Sequence, residues 1–213
     1  MAPSTPPGSD AARPRFRGTG AGASGCRGGA SLHIAPRHAG SGGETVPGRN
    51  TLRYLAYGSN LWPARLKARI GPFTVAGNAR LPDHALSFAK RGADGSGKCT
   101  LQACPGAVAW AAVYELPVAA RATLDRIEGV GRGYSVRWLD LPGYGRCFVY
   151  LGEPGWLDPG LAPFDWYHAL VLAGARHHGF PPAYVSRIGT TVAIRDAERA
   201  RAADHYALLA RSA

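Results

Sequence analysis

The spacing of apolar residues changes several times along the chain, and each change predicts a different element. An apolar run at residues 54–57 that breaks at a small-residue turn is typical of a strand, and Trp62–Leu66 begins a helix. Further strands are expected over residues 73–81 and 85–89 with a turn at Pro82-Asp83, over 100–103 and 108–115 with a turn at Pro105-Gly106, and over 134–141 and 146–151. Further helices are expected from Pro117 to Gly129, with an apolar stripe of Val118, Leu124 and Ile127, and over residues 164–178, 183–188 and 196–211.

The order of these elements indicates the fold class. Several of the predicted strands follow one another without a helix between them. Because this order excludes a regular βαβ alternation, we predict an α+β fold. We expect a small curved sheet of mixed strands, or a β-barrel, with flanking helices.

Residues 1–50 differ in composition from the remainder. They are rich in Gly, Pro, Ser, Ala and Arg, with isolated apolar residues, so we expect a disordered basic tail followed by one domain over residues 51–213. The tail has no apolar run long enough for a signal peptide or a membrane span. Its arginines fit an organelle transit peptide, and a mis-assigned start codon fits equally well.

Charge and cysteine content narrow the function classes. The formal net charge is +11, but no basic stripe alternates with stacking aromatics, so we expect neither nucleic-acid binding nor a membrane partner. The four cysteines form no CxxC pair, and the histidine spacing does not fit zinc, so no metal is expected. Reduced cysteines in a cytoplasmic protein are therefore expected. The sequence gives no indication of its oligomeric state.

The segment from Tyr54 to Leu61 carries the first candidate site. Gly58 permits a bend or a close approach, Ser59 and Asn60 are preferred N-cap types, and Pro63 suits a first helical turn. A strand, a tight loop and a helix start would leave backbone N–H groups free to hold a carboxylate or phosphate. The alternative is a capped β–α turn without a ligand.

Glu128 is the second candidate. It closes the middle helix between Ile127 and Val130, one residue before Gly129. The negative end of the helix dipole and apolar neighbours both disfavour an ionised carboxylate, which is what a general base working near neutrality needs. The alternative is a solvent-exposed glutamate on the polar face. Glu115, at a strand end, is a competing carboxylate that we interpret as a rim residue.

Three separated segments of the sequence match the motifs of one known family. Tyr54-Leu-Ala-Tyr-Gly-Ser-Asn-Leu61, Trp110-Ala-Ala-Val-Tyr-Glu-Leu-Pro117 and Leu124-Asp-Arg-Ile-Glu-Gly-Val130 resemble the gamma-glutamylcyclotransferase family in sequence and order. The segment Pro163–Arg176, followed by Gly179-Phe-Pro181, is similar to that family's late helix. The resemblance spans about residues 51–190.

The resemblance implies a cofactor-free enzyme of lyase or acyltransferase type. Such an enzyme cyclises a gamma-glutamyl amino acid or peptide to 5-oxoproline and releases the amine, without a metal or a covalent enzyme nucleophile. By matching position, Glu128 is implied as the general acid and base. The implied substrate-binding residues are Tyr54, Leu55, Ala56, Tyr57, Gly58, Ser59, Asn60, Leu61 and Tyr167.

Some alternatives stay open. The chain has Ala111 where the family commonly has glycine, and Tyr167 fits a core role as well as a binding role. The substrate can instead be a gamma-glutamyl amine or a carrier-bound conjugate. A non-catalytic binding module on the same fold is a third interpretation. Asn60 disfavours the glutathione-specific branch, which tends to lack it.

Overall fold

The computed structural model describes Gly48 and residues 50–210, so most of the predicted tail and the end of the predicted last helix lie outside the described residues. The strands are β1 (Thr51–Ala56), β2 (Thr74–Arg91), β3 (Gly97–Pro117), β4 (Tyr134–Leu141) and β5 (Gly145–Gly152). The α-helices are α1 (Pro63–Ile70), α2 (Ala120–Glu128), α3 (Asp165–His177), α4 (Pro182–Gly189) and α5 (Arg199–Leu209). Short 3-10 turns lie at Ser59–Leu61 and Pro154–Trp156.

The five strands form one curved mixed sheet in the order β2-β3-β1-β5-β4. Its single parallel pair is β1 with β5, and the other neighbours are antiparallel. Within the described residues the two edge strands do not pair, so the sheet is open rather than a closed barrel. The predicted α+β class is confirmed, and β1 lies at the sheet centre, where its last four residues are buried.

The strand count was wrong because two predicted turns are irregularities within long strands. Pro82-Asp83 lies inside the 18-residue β2, and Pro105-Gly106 lies inside the 21-residue β3. Asp83 takes a φ of 57°, and its carboxylate accepts a hydrogen bond of 2.8 Å from the Gly106 N–H. The two irregularities therefore face each other, and they bend the strand pair without separating it.

The helices agree with the expected positions, but one predicted apolar stripe is wrong. In α2, Leu124 is fully buried, whereas Val118 and Ile127 are 50% and 40% exposed. The helix begins at Ala120, three residues later than predicted, and ends at Glu128 with Gly129 as its C-cap. Leu124 thus anchors α2 to the core while Ile127 faces outward.

Helix α3 packs directly on the turn that follows β1. Gly174 makes this possible, because a Cβ at that position would lie 2.4 Å from the Leu61 Cβ and 2.8 Å from the Trp62 nitrogen. The close approach fixes the 3-10 turn against a buried helix face that includes Tyr167 and Leu170. None of the helices among residues 50–210 has the length and apolar character needed to span a bilayer.

Candidate active site

The turn after β1 differs in detail from the predicted capped helix start. Ser59–Leu61 forms a single 3-10 turn, and α1 begins after it, with Pro63 in its first turn as expected. Neither Ser59 nor Asn60 caps a helix with its side chain. Both side chains instead bond to residues distant from the turn, and both lie against a cavity.

Gly58 is needed for a close approach rather than for an unusual backbone angle. Its φ is −109°, which any residue can adopt. A Cβ there would lie 3.0 Å from the Cys99 Cβ and 3.3 Å from the Tyr167 hydroxyl. The glycine therefore lets the loop, β3 and α3 converge at one point.

Glu128 belongs to a polar network that joins three elements. Its Oε1 accepts hydrogen bonds from Asn60 Nδ2 at 3.0 Å and from Arg69 Nη1 at 2.6 Å. Arg69 also donates to Asn60 Oδ1 at 2.8 Å, and Asn60 donates to the Tyr54 hydroxyl at 3.0 Å. Glu128 Oε2 accepts no hydrogen bond from the residues that the structure describes. One carboxylate oxygen is thus fixed and the other is left for a ligand.

The expected surroundings of Glu128 were partly wrong. It does close α2 before Gly129, as predicted. However, Ile127 and Val130 are 40% and 39% exposed, so they do not enclose the carboxylate. Its neighbours are an arginine and an amide, and its side chain is 16% exposed.

An inner cavity of about 290 Å³ lies between the loop and Glu128. Glu128 is the one carboxylate among the described residues that line it. The lining consists of Tyr54, Tyr57, Gly58, Ser59, Asn60, Cys99, Glu128, Tyr134, Tyr150 and Tyr167.

The hydroxyl groups of this cavity are largely held by the protein. Tyr134 donates to the Cys99 carbonyl at 2.6 Å, and the Tyr167 oxygen accepts from the Cys99 N–H at 3.1 Å. Tyr57 donates to the Tyr150 carbonyl. Burial raises the pKa values of Tyr54, Tyr57, Tyr134 and Tyr167 well above 10. These phenols are therefore neutral at physiological pH.

Cys99 does not have the properties of a nucleophile. Burial raises the pKa of its thiol to about 12, so the reactive thiolate is scarce at neutral pH. The thiol is also fully enclosed, at 1% exposure. Its packing role beside Gly58 is consistent with chemistry that needs no covalent enzyme intermediate.

A larger outer vestibule of about 1260 Å³ adjoins the cavity, and both are lined by Ser59, Glu128, Tyr134 and Tyr167. Seven cationic side chains and two carboxylates line the vestibule among the described residues. Lys98 pairs with Asp94 at 2.7 Å, and Arg69 pairs with Glu128. Ser59 Oγ accepts a hydrogen bond of 3.1 Å from buried Arg65. A neutral aromatic cavity therefore opens into a strongly positive space.

Comparison with known proteins gives this geometry a context. No protein-family model matches the chain. A Mus musculus protein named gamma-glutamylcyclotransferase is 29% identical over 162 residues, which cover 71% of this chain and 81% of the mouse protein. A solved structure named gamma-glutamyl cyclotransferase aligns with a TM-score of 0.66 at 23% identity, over 76% of this chain and 99% of that chain. The chain is gamma-glutamylcyclotransferase-like.

A second solved structure has the same fold. It is an uncharacterised protein from Homo sapiens, with a TM-score of 0.64 and 24% identity, over 76% of this chain and all of that chain (100%). The resemblance first seen in separated sequence blocks is thus confirmed for both sequence and fold.

The gamma-glutamylcyclotransferase-like fold gathers most of the predicted site residues. Six of the nine predicted binding residues line the inner cavity: Tyr54, Tyr57, Gly58, Ser59, Asn60 and Tyr167. Leu55, Ala56 and Leu61 do not line it, because they are fully buried in the core behind the loop. Ala111 is also fully buried and outside the lining, so its extra methyl group faces no cavity.

The competing carboxylate Glu115 lies outside both cavities. Its Oε1 accepts from Arg53 Nε at 3.1 Å and from Nη2 at 3.0 Å. This ion pair links β1 to β3 and includes a buried arginine, which indicates a structural role.

Sequence reasoning missed Arg69, Cys99, Tyr134 and Tyr150. Tyr134 begins β4 and Tyr150 lies in β5, and β5 pairs with the strand that leads into the loop. Arg69 lies nine residues after Asn60, on the face of α1 turned towards α2. The basic last turn of α1 was the available signal, although it does not specify Glu128 as the partner.

Proposed function

We propose that this protein cyclises a gamma-glutamyl amino acid or peptide to 5-oxoproline and releases the amine, with Glu128 as general acid and base. The observation that carries the proposal is the position of Glu128. It faces a tyrosine-lined cavity beside the loop that the resemblance identifies with substrate binding, and it keeps one oxygen without a donor among the described residues. The mouse relative's name and the shared fold support the same reaction class.

The loop offers a seat for the α-carboxylate of the glutamyl group. The backbone N–H groups of Ser59 and Asn60 have no hydrogen-bond acceptor among the described residues, as is usual in a first helical turn. Both residues line the cavity. A carboxylate placed there would satisfy these donors, and the same region can stabilise an oxyanion that develops during reaction.

The proton transfers follow from this placement. The substrate's α-ammonium group loses a proton to Glu128, and the resulting amine attacks the γ-carbonyl carbon of the same molecule. The new C–N bond closes a five-membered ring, Glu128 returns the proton to the leaving nitrogen, and the original amide C–N bond breaks. The ring nitrogen then gives up its extra proton, so that the products are neutral lactam and protonated amine. Because both reacting groups are tethered, orientation in the cavity can supply on the order of 7–11 kcal/mol.

The protein's residues supply what this reaction requires. Arg69 and Asn60 fix the orientation of the Glu128 carboxylate, and five tyrosines line the cavity and limit its contact with water. The reaction as written needs no cofactor or covalent enzyme intermediate. We further propose a cytoplasmic, small-molecule role.

The direct test is release of 5-oxoproline by the purified chain. The panel consists of gamma-glutamyl amino acids, gamma-glutamyl amines, a carrier-bound gamma-glutamyl group and glutathione. Turnover of an amino-acid conjugate supports the proposal. Preference for an amine or a carrier conjugate would show that the substrate belongs to that class instead. A ligand-induced thermal shift without turnover of any compound would indicate a binding module instead.

A further inference from the structure

Two buried cations in the outer vestibule lack an anionic partner. Arg65 is 5% exposed, and within the described residues its guanidinium bonds only to neutral groups, Ser59 Oγ and His205 Nδ1, each at 3.1 Å. Lys90 is also 5% exposed, and its ammonium forms neither an ion pair nor a hydrogen bond with any described residue. It lies over the Tyr134 ring, 4.3 Å from the ring centroid.

Such burial is costly unless something compensates it. Charged groups in protein interiors are normally paired, because desolvation of an unpaired ion is unfavourable. The ring of Tyr134 offsets part of this cost for Lys90, but it does not neutralise the charge. Burial lowers the pKa of Lys90 despite the opposite effect of nearby carboxylates, and burial together with Arg69 lowers the pKa of Arg65.

The mouth of the vestibule adds to the positive charge. Arg126 and Arg132 line it, are exposed, and form no ion pair with the described residues. Arg201 is already paired with Asp196 at 2.5 Å, and Lys98 with Asp94. The positive charge left without a partner therefore belongs to Arg65, Lys90, Arg126 and Arg132.

We propose that the vestibule selects gamma-glutamyl conjugates whose leaving amine carries an additional acidic group, a carboxylate or a phosphate. The inference rests on the proposed function, which places the glutamyl group in the inner cavity. Because Glu128, Ser59, Tyr134 and Tyr167 line both spaces, the group joined to the γ-carbonyl would extend into the vestibule. A single α-carboxylate leaves most of the charge of four cations without a partner, and an acidic side chain adds further negative charge.

Pairs of one acidic and one neutral substrate test this selection. Gamma-glutamyl-glutamate is compared with gamma-glutamyl-glutamine, and gamma-glutamyl-phosphoserine with gamma-glutamyl-serine. We expect kcat/KM for the acidic member to exceed that for the neutral member by about tenfold to a hundredfold at low salt. The two acidic arms distinguish carboxylate from phosphate. Equal kcat/KM values within both pairs would overturn the inference while leaving the proposed function intact.

Two variants test which cations cause the preference for acidic conjugates. Lys90→Met removes a buried cation and Arg132→Gln an exposed one, and each should reduce the preference by several-fold. Lys90→Met should not lower the thermal midpoint, because an uncompensated buried charge is lost. Lys67→Met is the matched control, since Lys67 is exposed on α1 and outside the vestibule. An unchanged preference in both vestibule variants would contradict the assignment.

A binding measurement separates this inference from the reaction itself. Trp156 and Trp166 line the vestibule, so tryptophan fluorescence can follow titration with each substrate pair. If no conjugate is turned over but gamma-glutamyl-glutamate binds more tightly than its neutral partner, the proposed function fails and the anionic site stands. If the acidic and neutral members also bind equally, the anionic site fails as well.

Discussion

The inner cavity and the outer vestibule are adjacent, yet they differ in almost every physical property. The cavity is small, lined by five tyrosines, and contains one carboxylate and no lysine or arginine among its described lining residues. The vestibule is about four times larger and is lined mainly by cations. Glu128 lies at the boundary and contacts both spaces.

Under the proposed function the two spaces have separate roles: the reaction takes place in the cavity, and the vestibule recognises the leaving group. The cavity holds its polar groups in fixed hydrogen bonds, as orientation of a tethered reaction requires. The vestibule contains charges that the protein leaves without partners, as recognition of a variable anion requires. Changes in the cavity should therefore alter turnover, whereas changes in the vestibule should alter which substrate is used.

Replacement of Glu128 should have the largest effect. Glu128→Gln keeps the shape and the possible bond to Asn60 but removes the proton acceptor, so kcat should fall by about 10²–10⁴-fold. Substrate affinity, measured by fluorescence titration, should change little. Asp140→Asn is the control, because Asp140 is an exposed carboxylate on β4, outside both spaces. A Glu128→Gln protein with normal kcat would show that another group is the base.

Arg69 tests whether Glu128 must be held in place. Arg69→Met removes the 2.6 Å ion pair and the bond to Asn60, which should lower kcat by about tenfold and leave KM nearly unchanged. Arg69→Lys keeps the charge and should restore part of kcat. Equal losses of kcat in the two variants, or a large rise in KM, would contradict a positioning role.

Glu128 shows how far local sequence could predict this site. Its place at the end of α2 followed from Gly129, and its proposed role rests on the resemblance. Its partner Arg69 could not be predicted, because the pair depends on how α1 and α2 pack. Local spacing likewise gave no signal for the vestibule, since Arg65, Lys90 and Arg132 come from three separate parts of the chain.

The long strands show a second limit of local reasoning. Pro82-Asp83 and Pro105-Gly106 are good turn sequences, and the expectation of two turns followed from local chemistry. The structure uses both as irregularities in one antiparallel pair, joined through Asp83 and the Gly106 N–H. Only the long-range register of β2 with β3 determines that outcome. The predicted α+β class is nevertheless correct, because it depends on the order of the elements more than on the number of strands.

Gly58 offers a smaller, graded test of the cavity. In Gly58→Ala the new methyl group would press on Cys99 at 3.0 Å and on the Tyr167 hydroxyl at 3.3 Å. We expect KM to rise several-fold and stability to fall by about 1–3 kcal/mol, as in overpacked cores. Gly189→Ala is the matched control, because its Cβ would lie at an ordinary distance of 3.9 Å from Leu172. Unchanged KM in Gly58→Ala would count against substrate binding at this loop.

The smallest expected effect concerns pH and His205, which lies at the vestibule. Burial, with Arg65 and other nearby cations, lowers the pKa of His205 to about 4, and its Nδ1 accepts from Arg65. Because the unfolded histidine titrates near 6.5, the unfolded state binds more protons between these values. Stability should therefore be greatest above pH 6.5 and fall as the pH drops towards 4.

Thermal unfolding of the wild type and His205→Asn measures this contribution. The wild-type midpoint should fall by a few degrees between pH 7 and pH 5. His205→Asn also loses the ring contact with Trp166, so its midpoint should be lower at pH 7, but its dependence on pH should be weaker. His178, which is half-buried and has its pKa lowered to about 4 by burial, should keep part of the slope in this variant. An identical slope in both proteins would mean that the cationic vestibule does not keep His205 neutral.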